Sequence, residues 1–195
     1  MMMRGVSLLT SLNRRTITME TQEKPTQQVR LHSLVMDSIT DGLGVNLVLV
    51  FQGCKAYCPG CHNPSTHDVN GGDLFDIDDL FSYTTSLTTG VTLSGGEPLL
   101  QLDAVKYTAS IAKEKGLKVT LYTGYTLERL REAFPDFMDY LNYVKCGPYV
   151  RELRSSAVPL YGSSNQQFFH ITKDKLLREI TGFADLDRRM VERKD

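Results

Sequence analysis

Five consecutive apolar residues, Leu47 to Phe51, run within three positions into Cys54, Lys55, Ala56, Tyr57, Cys58, Pro59, Gly60, Cys61 and His62. Three of the four cysteines of the chain fall in this stretch. Offsets of four and three would place the sulfurs on one helical face. Pro59, however, lacks an N–H, its ring clashes with the Lys55 carbonyl in a helix, and Gly60 weakens a helix further. The segment therefore reads as a loop folded around something that draws three thiolates together. Three soft ligands suit an iron–sulfur cluster or zinc. Structural zinc ordinarily takes a closed set of four, whereas a cluster held by three cysteines keeps one iron open.

At 195 residues the chain has the size of one domain able to bury a core without disulfides. Its formal charge of −1 gives no electrostatic case for a nucleic-acid partner. No apolar stretch has the length of a membrane span, so a soluble protein with no membrane partner is expected. Only Cys146 lies outside the loop, which argues against a disulfide framework and for a reducing, cytoplasmic compartment. Cys146 itself reads as a small buried apolar residue.

Residues 1–28 differ from the rest. Up to Met19 the charges are Arg4, Arg14 and Arg15 among many Ser and Thr. Such a leader is an organelle transit peptide, a disordered tail, or sequence upstream of a start at Met19 or later; composition favours the latter two. Residues 29–195 are expected to form a single domain.

Within it, Val29–Met36 alternates as a strand, and Val45–Phe51 is apolar on both faces, as in a buried parallel strand. Asp76 and Asp79 start a helix whose stripe is Ile77, Leu80, Phe81 and Leu87, ending at Gly90. Val91–Leu93 is a strand leading into Gly95, Gly96, Glu97 and Pro98, and Pro98 suits a first helical turn. Leu102, Val105, Ala109 and Ala112 recur at helical offsets up to Gly116. Leu117–Tyr122 is the next strand; Thr126 caps a helix through Leu127, Leu130 and Phe134 that Pro135 ends. Tyr143–Lys145 and Phe168–Ile171 are further strands, and Leu176, Leu177, Ile180 and Phe183 suggest a terminal helix. Alternating strands and helices imply an α/β fold with a mostly parallel sheet. In a parallel barrel or partial barrel the loops after the strands share one face. The cysteine loop, the Gly95–Gly96 turn, the Thr123–Tyr125 turn and the Gly147 turn should then surround one mouth.

Cys54, Cys58 and Cys61, with Ser94, Gly95, Gly96, Glu97 and Pro98 downstream, resemble the two signatures of radical S-adenosylmethionine enzymes. The resemblance implies a partial (β/α) barrel of the radical S-adenosylmethionine type. It implies a four-iron four-sulfur cluster on Cys54, Cys58 and Cys61, with S-adenosylmethionine chelating the open iron. The implied reaction is reductive cleavage to methionine and a 5′-deoxyadenosyl radical that abstracts a hydrogen. Gly95 and Gly96, without a Cβ, can lie close against a ligand, and Glu97 can accept from its ammonium. Many radical enzymes carry an aromatic just before the third cysteine, where this chain has Gly60. Backbone contacts from Gly60, Cys61 and His62 to the adenine are expected instead. Tyr57, His62 and Tyr125 are the aromatic candidates for stacking, and His67 reads as structural.

A closer likeness joins Cys58 to Pro64, Tyr122 to Tyr125, and Gly162, Ser163, Ser164, Asn165 and Gln166. Together they resemble the activating proteins of anaerobic ribonucleoside-triphosphate reductases, over about Leu34 to Phe168. That family places a glycyl radical on the large reductase chain, using a low-potential reductant such as reduced flavodoxin. The chain departs from it in three ways. A usual Gly-Pro-Gly and Arg appears as Gly42, Leu43, Gly44, Val45 and Asn46; Cys146 stands where an Asp is usual; and the leader is not a family feature. Two alternatives are an activase of another glycyl radical enzyme, such as pyruvate formate-lyase, and a non-catalytic zinc module on Cys54, Cys58, Cys61 and His62.

Overall fold

The computed structural model describes residues 27–155, 160–182 and 185. The expected leader, apart from its last two residues, and Phe183 with the charged end of the chain lie outside these. Eight strands form one sheet in the order β3-β1-β2-β4-β5-β6-β7-β8. They are β1 (Gln28–Ser38), β2 (Asn46–Phe51), β3 (Asp73–Asp76), β4 (Gly90–Gly95), β5 (Lys118–Tyr122), β6 (Tyr143–Cys146), β7 (Gln167–Ile171) and β8 (Leu177–Glu179). The four central strands β2, β4, β5 and β6 are parallel. The pairs at both flanks are antiparallel, so the sheet is mixed, with a parallel centre, where a mostly parallel one is expected. No helix among the described residues is long and apolar enough to cross a membrane.

Strand alternation gives the sheet two different faces. On one, Leu47, Leu49, Phe51, Val91, Leu93, Val119, Leu121 and Val144 join the main core. Against them pack Val105, Ala109 and Ala112 of α2 (Leu102–Glu114), Leu130 of α3 (Leu127–Ala133) and Phe137 of α4 (Phe137–Tyr140). α2 ends as expected: the Gly116 N–H donates to Lys113 O at 2.9 Å and Leu117 N–H to Ala112 O at 2.8 Å. The Thr126 hydroxyl caps α3 by accepting from Arg129 N–H at 3.3 Å. On the other face Tyr143, Phe168 and Ile180 form a smaller cluster, with Leu43, Tyr122, Leu160 and Tyr161 packed against it. Leu43 thus covers part of this second face of the sheet. Asn46 is buried, and its amide donates to Gly44 O at 3.1 Å. Cys146 belongs to the main core, 1% exposed, where burial pushes its thiol up to about 12.

Two local expectations are corrected. The helix after Asp76 is one turn, α1 (Ile77–Leu80), followed by a 3-10 turn over Phe81–Tyr83, and Leu87 is 65% exposed. Hydroxyls take the carbonyls that a longer helix would use: Ser82 donates to Asp79 O and Thr84 to Phe81 O, each at 2.7 Å. Asp73–Asp76 adds an edge strand against β1. Where the expected terminal helix would begin, Leu177–Glu179 form β8, an antiparallel partner for β7. Its hairpin closes through Lys175 N–H to Thr172 O at 2.9 Å and Thr172 N–H to Leu176 O at 3.0 Å. Leu176 is left 57% exposed while Ile180 is buried.

Candidate functional site

The cysteine loop leaves the C-terminal end of β2 and is folded back on itself at its root. Gly53 N–H donates to Thr66 O at 2.8 Å, and Cys54 N–H to His67 O at 3.2 Å. The Gln52 amide holds the returning segment by donating to Ser65 O at 3.2 Å and Asp68 O at 2.6 Å. Across the tip, Cys61 N–H donates to Cys58 O at 3.0 Å, a turn over Pro59 and Gly60. Asn63 N–H points at the Cys61 sulfur at 3.4 Å. All three thiols are free and partly exposed.

The glycine turn is set against this root. Phe51 pairs with Gly95 in the β2–β4 ladder. Gly96 N–H then donates to Phe51 O at 2.9 Å and Glu97 N–H to Gly53 O at 2.8 Å. A Cβ on Gly95, whose φ is +110°, would sit 2.4 Å from Phe51 N, and one on Gly96 2.3 Å from Gly53 O. The close approach that requires these glycines is to the chain's own backbone. Glu97 is 4% exposed. Its Oε1 accepts from Leu99 N–H at 3.1 Å, its Oε2 from Gly124 N–H at 2.8 Å, and the Thr123 hydroxyl lies 2.8 and 2.9 Å from the two oxygens. Burial pushes this carboxyl above its usual range, against the opposing pull of Thr123, Leu99 and Gly124. A carboxylate has about four lone-pair sites. Three donors from the chain occupy most of them, so Glu97 is first a strut between the turns after β4 and β5.

These turns enclose one cavity with an empty volume of about 800 Å3, part of it open to solvent. Cys54, Cys58, Cys61, His62, Gly95, Gly96 and Glu97 all line it, and Thr123, Gly124 and Gly147 complete the ring of turns. Gly60 does not line it; it is exposed, with its α-carbon turned towards the Arg151 stem. Tyr57 and Tyr125 do not line it either. Tyr57 is 63% exposed and meets the His67 ring edge-on at 4.9 Å, and Tyr125 lies under the Arg129 guanidinium at 4.7 Å. Among the described residues no three His, Cys, Asp or Glu side chains converge on a single-ion site, so the zinc arrangement with His62 is not formed. A four-iron cluster makes no such demand, since each thiolate takes a different iron. The donor set fits it: three free thiols on one cavity wall, with a backbone N–H on one sulfur.

Of the lining residues Lys145 carried no sequence signal, and Tyr122 entered only through the Tyr122–Tyr125 likeness. Lys145, on β6, extends into the cavity with its ammonium 3.7 Å from the Tyr122 ring centroid. Burial depresses it to about 8, partly offset by Asp41. The Tyr122 hydroxyl is buried with no hydrogen-bond partner, and burial raises its pKa. His67, expected to be structural, lines the cavity too and leaves Nε2 buried without a partner. A lysine inside a strand has no motif around it. Only the strand's facing distinguishes it from a surface lysine.

Residues 40–169 match the family described as a 4Fe-4S single cluster domain. The chain is similar to the anaerobic ribonucleoside-triphosphate reductase-activating protein of Escherichia coli strain K12, at 34% identity over 72% of this chain and 97% of that protein. Its similarity to the protein of that description from Salmonella typhimurium is 31% over 73% of this chain and 99% of that one. The pyruvate formate-lyase-activating enzyme of Clostridium pasteurianum is 36% identical, over 49% of this chain and 44% of its own length.

Two outcomes follow from the site's electrostatics. In Glu97→Gln, an amide NH2 must face either Leu99 N–H or Gly124 N–H, so a loss of about 1–3 kcal/mol is expected in urea unfolding at neutral pH. Unchanged stability would contradict the strut. For Lys145 the folded pKa lies below the unfolded value, so its contribution is full above 10.5 and lost as pH falls through about 8. Lys145→Met should be more stable than wild type at neutral pH, with the gap closing towards about pH 10. A gap that does not depend on pH would refute the assignment.

Proposed function

The chain belongs to the family of anaerobic ribonucleoside-triphosphate reductase-activating proteins, and on that premise we propose that it is a radical S-adenosylmethionine activase. It generates a glycyl radical on the large chain of an anaerobic, class III ribonucleoside-triphosphate reductase. The observation that carries this reading is the single cavity bringing together the three free thiols, the glycine turn and Glu97. A four-iron four-sulfur cluster and S-adenosylmethionine, when bound, supply the electron, the cleaved sulfonium bond and the hydrogen-abstracting radical.

The chain's own part is placement. Cys54, Cys58 and Cys61 hold the cluster, with the Asn63 N–H donating to the Cys61 sulfur. Gly95, Gly96 and the remaining acceptor site of Glu97 would receive the cofactor's amino group, and Cys61 and His62 its adenine. Lys145 and Tyr122 suit the carboxylate: among the described residues the ammonium, although it feels the Asp41 charge, makes no salt bridge, and the phenol has no hydrogen-bond partner. The sheet, with helices on one face and the cavity on the other, reads as a partial (β/α) barrel. Its open mouth admits a glycine of the partner protein. Lys55, Ala56 and Tyr57 are exposed, which leaves the loop approachable by a low-potential donor such as reduced flavodoxin. Free thiols suit the cytoplasm. Activation of pyruvate formate-lyase is the second reading, weakened because the alignment spans 44% of that relative against 97% of the reductase activator.

Anaerobically reconstituted protein should bind about four irons per chain. Mixed with reductant, S-adenosylmethionine and the large reductase chain, it should give a glycyl radical signal in electron paramagnetic resonance. A loaded cluster with no such signal would sink the activase reading. Lys145→Met should weaken S-adenosylmethionine binding by about tenfold, the scale of one lost charged hydrogen bond, and leave an analogue lacking the carboxylate unaffected. Equal weakening of both would remove Lys145 from that role.

A further inference from the structure

The Gly162–Gln166 stretch has no task in the cluster chemistry, yet its side chains are among the most fully engaged in the structure. Gln166 Oε1 accepts from the N–H groups of Gly162 at 2.9 Å and Ser163 at 3.2 Å, closing the turn on itself. A backbone bond from Gln166 N–H to Ser163 O at 3.1 Å also lies within the turn, and the remaining bonds reach the segment after β6. Gln166 Nε2 donates to Gly147 O at 3.0 Å and Asn165 Nδ2 to Pro148 O at 2.8 Å. Ser163 Oγ accepts from Val150 N–H at 3.2 Å, and Ser164 N–H donates to Leu153 O at 2.8 Å. Gln166 and Ser163 are buried, so these bonds are shielded from water.

The segment fixed in this way touches the cysteine loop at two points that flank Cys61. The Tyr149 ring packs on His62 with centroids 4.6 Å apart. The Arg151 stem lies so close to Gly60 that a Cβ there would be 2.8 Å from Cδ. The tip of the cysteine loop is otherwise lightly held, its own backbone closure being the Cys61 to Cys58 bond. Ordering such a tip carries a large entropic cost that outside contacts must offset.

We propose that Gln166 and Tyr149 are positioning residues: the 162–166 turn is a clasp that acts through the 147–153 segment to hold the third cysteine in place. Gln166 orders the segment, and Tyr149 passes that order to His62 and so to Cys61. This rests on the proposed function only in naming the cluster as what the loop holds.

The test uses the full chain, cluster-loaded and metal-free, as wild type, Gln166→Ala, Tyr149→Ala, Tyr149→Phe and the double alanine variant. Tyr149 lies at the cavity rim outside the core, so its variants retain the fold even if Gln166→Ala does not. Iron loss to a chelator should accelerate by about tenfold or more in each alanine variant, the scale seen for partners that orient metal ligands. The double variant should be no faster than the worse single one, because both act along one path. Tyr149→Phe, which keeps the ring, should behave as wild type. Amide hydrogen exchange over residues 58–62 should rise in both alanine variants while the strands stay protected. Unchanged iron loss in Tyr149→Ala, or multiplied effects in the double variant, would overturn the clasp. If wild type takes up no iron, the proposed function falls instead. Exchange in the metal-free chain then decides the clasp alone, and equal exchange across the variants overturns it.

Discussion

Two backbone hydrogen bonds, from Gly96 N–H to Phe51 O and from Glu97 N–H to Gly53 O, set most of what surrounds the cavity. They extend the β2–β4 ladder beyond the strands and seat the glycine turn on the root of the cysteine loop. Parallel pairing makes this possible, because it brings the C-terminal ends of β2, β4, β5 and β6 to the same edge. An antiparallel arrangement would send the two segments to opposite edges. The glycines are demanded by that seating, since a side chain at either would occupy the space of neighbouring backbone atoms.

The two faces of the sheet divide the work. Helices cover one face, and the core between is dry and apolar. The other face has no helix among the described residues and carries Thr92, Thr120, Tyr122 and Lys145 between the small apolar cluster and the cavity. Polar groups left there without partners are costly in an empty site and useful in a filled one. Glu97 stands at the boundary, its donors drawn from two successive turns. Its carboxylate therefore registers any shift of the β5 turn relative to β4.

Much of this is legible in the residues. The cysteine spacing interrupted by Pro59, the Gly95–Pro98 turn, the Thr126 cap and Gly116 each state a local requirement that the chain meets by itself, and each appears in the structure. The errors have a common character. Leu87 fits a helical stripe, but the Ser and Thr hydroxyls around it hold the backbone in turns. Leu177 and Ile180 fit a helix as well as a strand, and the unpaired edge of β7 decides between them. Tyr57 and Tyr125 lie close in sequence to site residues without lining the cavity, whereas Lys145 lies far from the cysteines in sequence and lines it.

From the amino-acid order alone come the three thiolates, the turn that cannot be helical, the glycine pair, and the local alternation of strand and helix, because each rests on contacts within a few residues. Which side chains meet across the cavity was left to the tertiary structure. That depends on the strand register and on the 147–153 segment folding back over the cysteine loop. A shift of one residue in register would turn Lys145 to the core and Cys146 to the cavity, with the local sequence unchanged.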